Sequence, residues 1–323
     1  MLIPCLLFAL GLILLIKGGD WFVDAATGIA QHYHVSEIII GATVVSIGTT
    51  LPEVMVSATS AVMGHGEIAY GNAIGSIICN TALIAAITIA FKPPKVDVKA
   101  FSSSVAFFFL AATIYSLTAI MKRSFDRLSG ITFLLLFLFY IVMIILQPTG
   151  KNQSDNPEDK ASSEPEKPIW KQIVLFIVGA ALIAWGADLL VKNATIIAKA
   201  IGIPEAVIGL TLVALGTSLP ELVTAITSLV KGHGSLSLGN IIGANLFNIV
   251  LVNGTATTLS PFEVPHGKTI GSIPTSLVVD IPVMLFVMLL LTLPPLFTGR
   301  MNRLQGFLLL AIYAGFCIFQ FVF

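Results

Sequence analysis

The sequence predicts an all-α polytopic membrane protein of ten transmembrane helices, arranged as two inverted five-helix repeats, and three observations predict it. Hydrophobic residues make up 56% and charged residues 11% of the chain, with a mean hydropathy of +0.96. Soluble domains carry roughly 45–50% apolar and about 25% charged residues. Apolar windows of about 20 residues, enough to cross a hydrocarbon core, recur along the whole chain. Finally, residues 40–80, IGATVVSIGTTLPEVMVSATSAVMGHG…GNAIGSIICN, return at 208–248 as IGLTLVALGTSLPELVTAITSLVKGHG…GNIIGANLFN.

In the first half the apolar windows fall near 2–18, 36–62, 68–90, 101–121 and 127–147. In the second they fall near 169–191, 204–230, 236–257, 275–296 and 303–323. The first window has neither a basic flank before it nor a small-residue cleavage site after it, so it is expected to be a spanning helix and not a signal peptide. The stretch QPTGKNQSDNPEDKASSEPEKP is polar, proline-containing and aperiodic. It is expected to be a flexible linker, 148–168, between a first repeat, 1–147, and a second, 169–323. An odd number of spans per repeat makes the second copy enter the bilayer from the opposite side, so the repeats are inverted. Lys and Arg in alternate connections place the linker in the cytoplasm and both termini outside.

A formal net charge of zero leaves no basic face and excludes nucleic acid as a partner; membrane lipid and small ions remain, and no obligate protein partner is evident. Cys5, Cys79 and Cys317 show neither pairing nor metal spacing and are expected to be small core residues.

Glu53 and Glu221 occupy equivalent positions in the repeated segments, each in the middle of an apolar run. A carboxylate at bilayer depth costs roughly 2.5–3.5 kcal/mol or more, so its presence in both copies points to function. Two acids, one from each repeat, call for a cation between them. Pro52 and Pro220 precede them, and each removes the amide that the carbonyl of Gly48 or Gly216 would bond, so helices 2 and 7 are expected to break at their centres. Irregular backbone at this depth is tolerated where it lines a cavity, and free carbonyls beside a carboxylate suit hard cations, which take oxygen ligands. A plainer reading stands beside this one, because Thr50-x-x-Glu53 and Ser218-x-x-Glu221 also match a capping box at a helix start.

Helices 3 and 8 carry GN-x-x-G motifs. Asn72, Ser76 and Asn80 share one helical face, and the glycines at 71, 75, 239 and 243 allow close helix approach. Asn80 and Asn248 fall near mid-membrane, where an amide needs a partner, either another helix or a bound ion. His65 and His233 sit in matching Gly-His-Gly turns, with turn formation the expected role. Asp20 and Asp188 correspond between the halves as expected helix-end anchors, and Asp280, before Ile281-Pro282, is expected to cap helix 9.

The doubled GT[TS]LPE and GN-x-x-G motifs resemble the paired alpha repeats of the calcium/cation antiporter superfamily, in particular its sodium/calcium exchanger family of prokaryotic type. The resemblance covers the whole chain in layout and the two repeats in residue detail. It implies a core of helices 2, 3, 7 and 8, with helices 1 and 6 sliding across it. By motif position it implies that Glu53 and Glu221 are shared calcium and sodium ligands, with Thr49 and Thr217 adding carbonyl and hydroxyl oxygens. Ser46, Thr50, Ser76, Ala214 and Ser218 match flanking sodium positions, and Asn80 and Asn248 match the central polar ones.

Two departures stand out. Some relatives have aspartate where this chain has Asn248, which argues against potassium cotransport and leaves two formal negative charges in the pocket. Those match one Ca²⁺, or two Na⁺ with a third in excess. Ala244 stands where the first repeat has Ser76, putting a hydroxyl ligand of one sodium site in doubt.

The expected activity is therefore sodium/calcium antiport by alternating access, with Ca²⁺ and Na⁺ as transported ions and no cofactor. A proton/calcium antiporter would use the same glutamates as proton carriers, and the serine and threonine oxygens in both repeats favour sodium. A gated channel needs several weak sites along an open axis, whereas two acids at one depth suit a single occluded site. Catalysis is not expected: the chain has no HExxH pair and no histidine at helical depth in the repeats.

Overall fold

The computed structural model of the chain describes residues 2–146, 168–201, 214–266 and 269–322. The expected linker, apart from Pro168, lies outside the described residues, as does the 204–213 portion of the seventh window. The spans are α1 (Leu2–His32), α2 (Glu37–Val62), α3 (Gly66–Phe91), α4 (Val98–Lys122) and α5 (Arg127–Ile145) in the first half. The second half has α6 (Ile169–Ala200), α7 in two described pieces (Ala214–Thr217 and Leu219–Val230), α8 (Gly234–Leu259), α9 (Ser276–Thr298) and α10 (Arg303–Val322).

The apolar windows fix where these helices cross, and packing fixes their order from centre to rim. α8 and α3 are the most enclosed, with 89% and 78% of their apolar windows buried, whereas α1 and α6 stay at the periphery with 22% each. Large side chains such as Ile13, Leu135 and Phe297 point outward, forming the lipid-facing surface. The equivalent helices are thus similarly placed, as expected of a two-repeat protein.

The connections repeat the same symmetry. In the first sheet, β1 (Ser124–Phe125) pairs antiparallel with β2 (Phe262–Glu263), and Val264 N–H donates to the Arg123 carbonyl at 3.0 Å. The related connections form the Lys95–Arg300 bridge, where Val96 N–H donates to Gly299 O at 3.0 Å. A second short pair, β3 (Thr269–Ile270) with β4 (Ile273–Pro274), precedes α9. The helix contacts are paired too. A Cβ on Gly130 of α5 would meet the Gly254 carbonyl of α8 at 2.9 Å, and one on Gly306 of α10 would meet the Ala86 carbonyl of α3 at 2.7 Å.

α1 and α6 cross through glycines seven residues apart in each. A Cβ on Gly11 would lie 2.9 Å from the Gly186 carbonyl, and one on Gly18 would lie 3.0 Å from that of Gly179. Such backbone-to-backbone contact has no large knobs to interlock.

Several expectations are corrected. α1 and α6 run well past residues 18 and 191, because the acids that weaken their hydropathy have partners. Lys231 bonds Asp24 at 2.7 Å and approaches Asp20 at 3.4 Å, and Lys192 pairs with Asp188 at 2.9 Å, one turn on. Asp20 and Asp188 thus sit inside helices and anchor neither end. Asp280 does not cap α9: it closes a π-turn, Ser276–Asp280, and its carboxylate accepts from the Gln320 amide at 2.9 Å. Of the cysteines, only Cys79 is buried, while Cys5 is exposed on the peripheral α1.

Candidate ion-binding site

The sequence predicts breaks at Pro52 and Pro220, and the two helices answer differently. α2 continues through Pro52 in one helix from Ser46 to Val62, since a single missing hydrogen bond inside a packed span is tolerated. Its irregularity lies upstream, in a π-turn at Gly41–Val45. There the Ser46 hydroxyl donates to Gly41 O at 2.7 Å, and the Tyr140 hydroxyl donates to Ala42 O at 3.1 Å. α7 does break, at Ser218, with Pro220 in the first turn of the helix that follows. Two further π-turns begin at the mid-membrane amides, Asn80–Ala85 in α3 and Asn248–Asn253 in α8. Single π-turns inside α-helices frequently mark functional positions, because the widened turn leaves carbonyls without their usual partners.

These four helices pack on one another and bring the singled-out residues together. Ser46, Thr49, Thr50 and Glu53 form the buried stripe of α2, and Ser76 and Asn80 lie on α3. Thr217, Ser218 and Glu221 come from α7 and Asn248 from α8. Ala214 begins the described part of α7, and its side chain lies outside the described residues.

Glu53 and Glu221 are both 0% exposed and lie on the neighbouring helices α2 and α7, which pack on each other. Neither carboxylate has a hydrogen-bond partner among the described residues, and the same holds for the hydroxyls of Thr50 and Ser218 and for the Asn80 amide. Asn248 donates to Ala244 O at 2.9 Å, and its own side-chain oxygen is unpartnered among the described residues. The capping-box reading therefore fails on geometry: Ser218 makes no cap bond, Thr50 lies inside its helix, and neither glutamate reaches back to the amide of Thr50 or Ser218.

Two residues that were not expected among the ion ligands, one of them Asn72 on the face shared with Ser76 and Asn80, hold the site together. Asn240 of α8 accepts from Ser46 and Thr49 of α2, both at 3.2 Å. Its equivalent, Asn72 of α3, accepts from Thr217 of α7 at 3.4 Å and donates to Glu53 O at 3.2 Å and to Ser57 at 2.8 Å. Each asparagine ties its own repeat to the opposite one. Their signal was present in the sequence, as the asparagine after the first glycine of each GN-x-x-G motif.

The Gly-His-Gly turns form as expected, with Gly64 and Gly232 at φ of 83° and 88°, a region that glycine enters freely. His233 does more. Its Nδ1 lies 2.7 Å from Glu37 Oε1, joining the connection between α7 and α8 to the start of α2. The Glu37 carboxylate raises the His233 imidazole above its ordinary range. The bond therefore stabilises fully below the free-histidine value of about 6.5 and is lost as pH rises through the raised native value. Thermal unfolding in detergent should show a loss of about 1 kcal/mol or less on that rise, absent in His233→Ala.

Two repeats of five spans, meeting at buried acids, define a membrane transporter built on internal repeats. The family model described as sodium/calcium exchanger protein matches residues 3–146 and 171–322, and the chain belongs to that family. The sodium/calcium exchanger MaX1 of Methanosarcina acetivorans is 30% identical over 98% of each chain. The uncharacterized membrane protein MJ0091 of Methanocaldococcus jannaschii is 35% identical over 95% of this chain and 94% of its own. Among solved structures, that of the sodium-calcium exchanger NCX_Mj soaked with Na⁺ and Sr²⁺ superposes with a TM-score of 0.81. Identity to it is 33%, over 97% of each chain. The protein is thus a membrane exchanger of cations, with calcium and sodium as the family's ions, and not an enzyme.

Proposed function

We propose that the protein exchanges sodium for calcium by alternating access, with one mid-membrane pocket holding either ion and reorienting once its charge is satisfied. The observation that carries this reading is the pair Glu53 and Glu221, one per repeat, fully buried and with no partner among the described residues. Burying an isolated carboxylate is costly unless it is paired or coordinates a metal. Two such groups at one depth offset one Ca²⁺ or two Na⁺, and a third sodium would make exchange move net charge.

In this reading Glu53 and Glu221 are shared ligands, with oxygens from Thr49 and Thr217. Ser46, Thr50, Ser76, Ser218 and the Ala214 backbone flank them, and Asn80 and Asn248 line the centre. The unpartnered hydroxyls of Thr50 and Ser218 support sodium as the coupling ion, since neutral oxygens complete the shell of a monovalent cation without adding charge. The exchanger names of MaX1 and NCX_Mj support the same choice. The two repeats are taken as 1–147 and 169–323, joined by a cytoplasmic linker at 148–168, with both termini outside. Glycine contacts between α1 and α6 suit a pair that slides together across the core.

The test is isotopic calcium uptake into proteoliposomes with the membrane potential clamped. An outward sodium gradient should concentrate calcium inside. Uptake driven by a proton gradient alone would make the protein a proton/calcium antiporter, and uptake that never exceeds equilibrium would make it a channel.

A further inference from the structure

A groove of about 670 Å³ opens between α2 and α6. Its walls carry no charged or hydrogen-bonding side chain: α2 contributes Gly48, Pro52 and Met55 among others, and α6 contributes Ala180, Ala181 and Ala184. Both helices are membrane spans, and the lining residues Met55 and Ile177 are 66% and 61% exposed, so the mouth faces the hydrocarbon of the bilayer. The inner end abuts the stacked rings of Phe22 and Phe176, with centroids 4.4 Å apart. A Cβ on Gly48 would lie 3.3 Å from Phe22.

Small side chains on α6 leave room for this hollow. With Gly11 aligned to Gly179 and Gly18 to Gly186, α1 carries Leu12, Ile13 and Ile16 where α6 carries Ala180, Ala181 and Ala184. At these three positions the branched aliphatic side chains of α1 are matched by methyl groups on α6.

We propose that this groove binds one acyl chain of a bilayer phospholipid, which acts as a wedge between α6 and α2. Its volume falls within the roughly 300–1,000 Å³ of ligand sites, and an all-apolar wall has nothing to hold a headgroup or water. A flexible alkyl chain, supplied by the surrounding membrane, fills such a space and restores the contacts its walls otherwise lack. Gly48 and Pro52 belong to the same turns as Thr49, Thr50 and Glu53, so the chain lies on one face of α2 and the candidate ion ligands on the other. Movement of α6 against α2 must displace or drag the chain. That consequence rests on the alternating-access reading; occupancy of the groove does not.

The full-length protein is reconstituted in phosphatidylcholine with a photoactivatable diazirine at mid-chain, irradiated, and mapped by mass spectrometry. Met55 and Ile177 should be labelled several-fold more than Leu135 and Leu138, which are comparably exposed on α5 at 61% and 56%. The double variant A181F/A184F should lose that excess. Equal labelling of all four positions in the wild type would mean annular lipid only and overturn the site, whether or not the variant folds. In the folded variant the maximal exchange rate should change several-fold at unchanged half-saturation for calcium. An unchanged rate would overturn the wedge role. If the wild type exchanged no ions, the exchange reading would fail while the labelling result stood.

Discussion

Glu53→Gln and Glu221→Gln should each abolish calcium exchange while leaving the protein inserted and folded. Glutamine keeps the shape and one carbonyl oxygen of the ligand but removes its charge. The remaining single carboxylate then faces a divalent ion at low dielectric with half the compensation, and coordination by neutral oxygens alone does not offset the cost of dehydrating the ion. Stability should move the other way. A buried carboxylate without a partner carries a desolvation cost that the neutral amide largely avoids. Without ions, the glutamine variants should therefore melt at or above the wild-type temperature, and calcium should no longer raise it. Ligand binding to the folded state alone stabilises by about 2.7 kcal/mol at a hundredfold excess over Kd, so the loss is measurable by thermal unfolding. A capping role predicts the opposite pattern, because glutamine caps a helix as glutamate does. Full activity with an undiminished calcium shift would restore that plainer reading.

Gly243→Leu should be nearly as damaging, for a reason of packing and not of charge. A Cβ at this position in α8 collides with the Ser46 hydroxyl and stands 2.6 Å from both Cα and O of Ala42. Two of these three atoms are backbone, so they cannot rotate away; α8 must withdraw from α2. Withdrawal breaks the bonds from Ser46 and Thr49 to Asn240 and opens the pocket on the side that holds Glu53. Overpacking costs about 1–3 kcal/mol in a soluble core, and here it falls on the element that positions the ligands. Exchange should be lost and the melting temperature lowered. Gly315→Ala is the control, since Gly315 lies on the exposed face of α10 with no described atom within 4 Å of its Cβ position. That variant should be unchanged or slightly more stable, as alanine is favoured over glycine inside a helix by roughly 0.5–1 kcal/mol.

Much of this architecture was legible because membranes punish polar groups. A glutamate inside an apolar run is conspicuous, and its recurrence in the second copy of the motif announced both the repeat and the acids at its centre. The helix count followed from window length alone. What escaped was the accommodation of polar groups by partners distant in sequence. Asp20 seemed to end a helix only because Lys231, far along the chain, could not be placed beside it. Hydropathy likewise does not distinguish an α-turn from the π-turns that open at Gly41, Asn80 and Asn248, since these depend on which hydroxyl or amide meets each freed carbonyl. Asn72 and Asn240 were visible as residues but not as braces, because the partners that make them so, Thr217 for Asn72 and Ser46 and Thr49 for Asn240, lie on the opposite repeat.

The glycines show the same division. Their spacing announced close approach, but only the assembled helices reveal that Gly239 meets Ile38 and Gly243 meets Ser46 and Ala42 across the repeats, while Gly11 and Gly18 join α1 to α6. The first set brings α8 against α2 beside the candidate pocket, and the second holds α1 and α6 together.

The most direct test of a cation shared by two carboxylates is anomalous X-ray scattering from crystals of this protein soaked with strontium, a heavier stand-in for calcium. The account predicts one dominant peak coordinated by Glu53 and Glu221 together, absent from crystals of Glu53→Gln. A saturating soak that placed the peak away from these two side chains, or that left it undiminished in the variant, would contradict it.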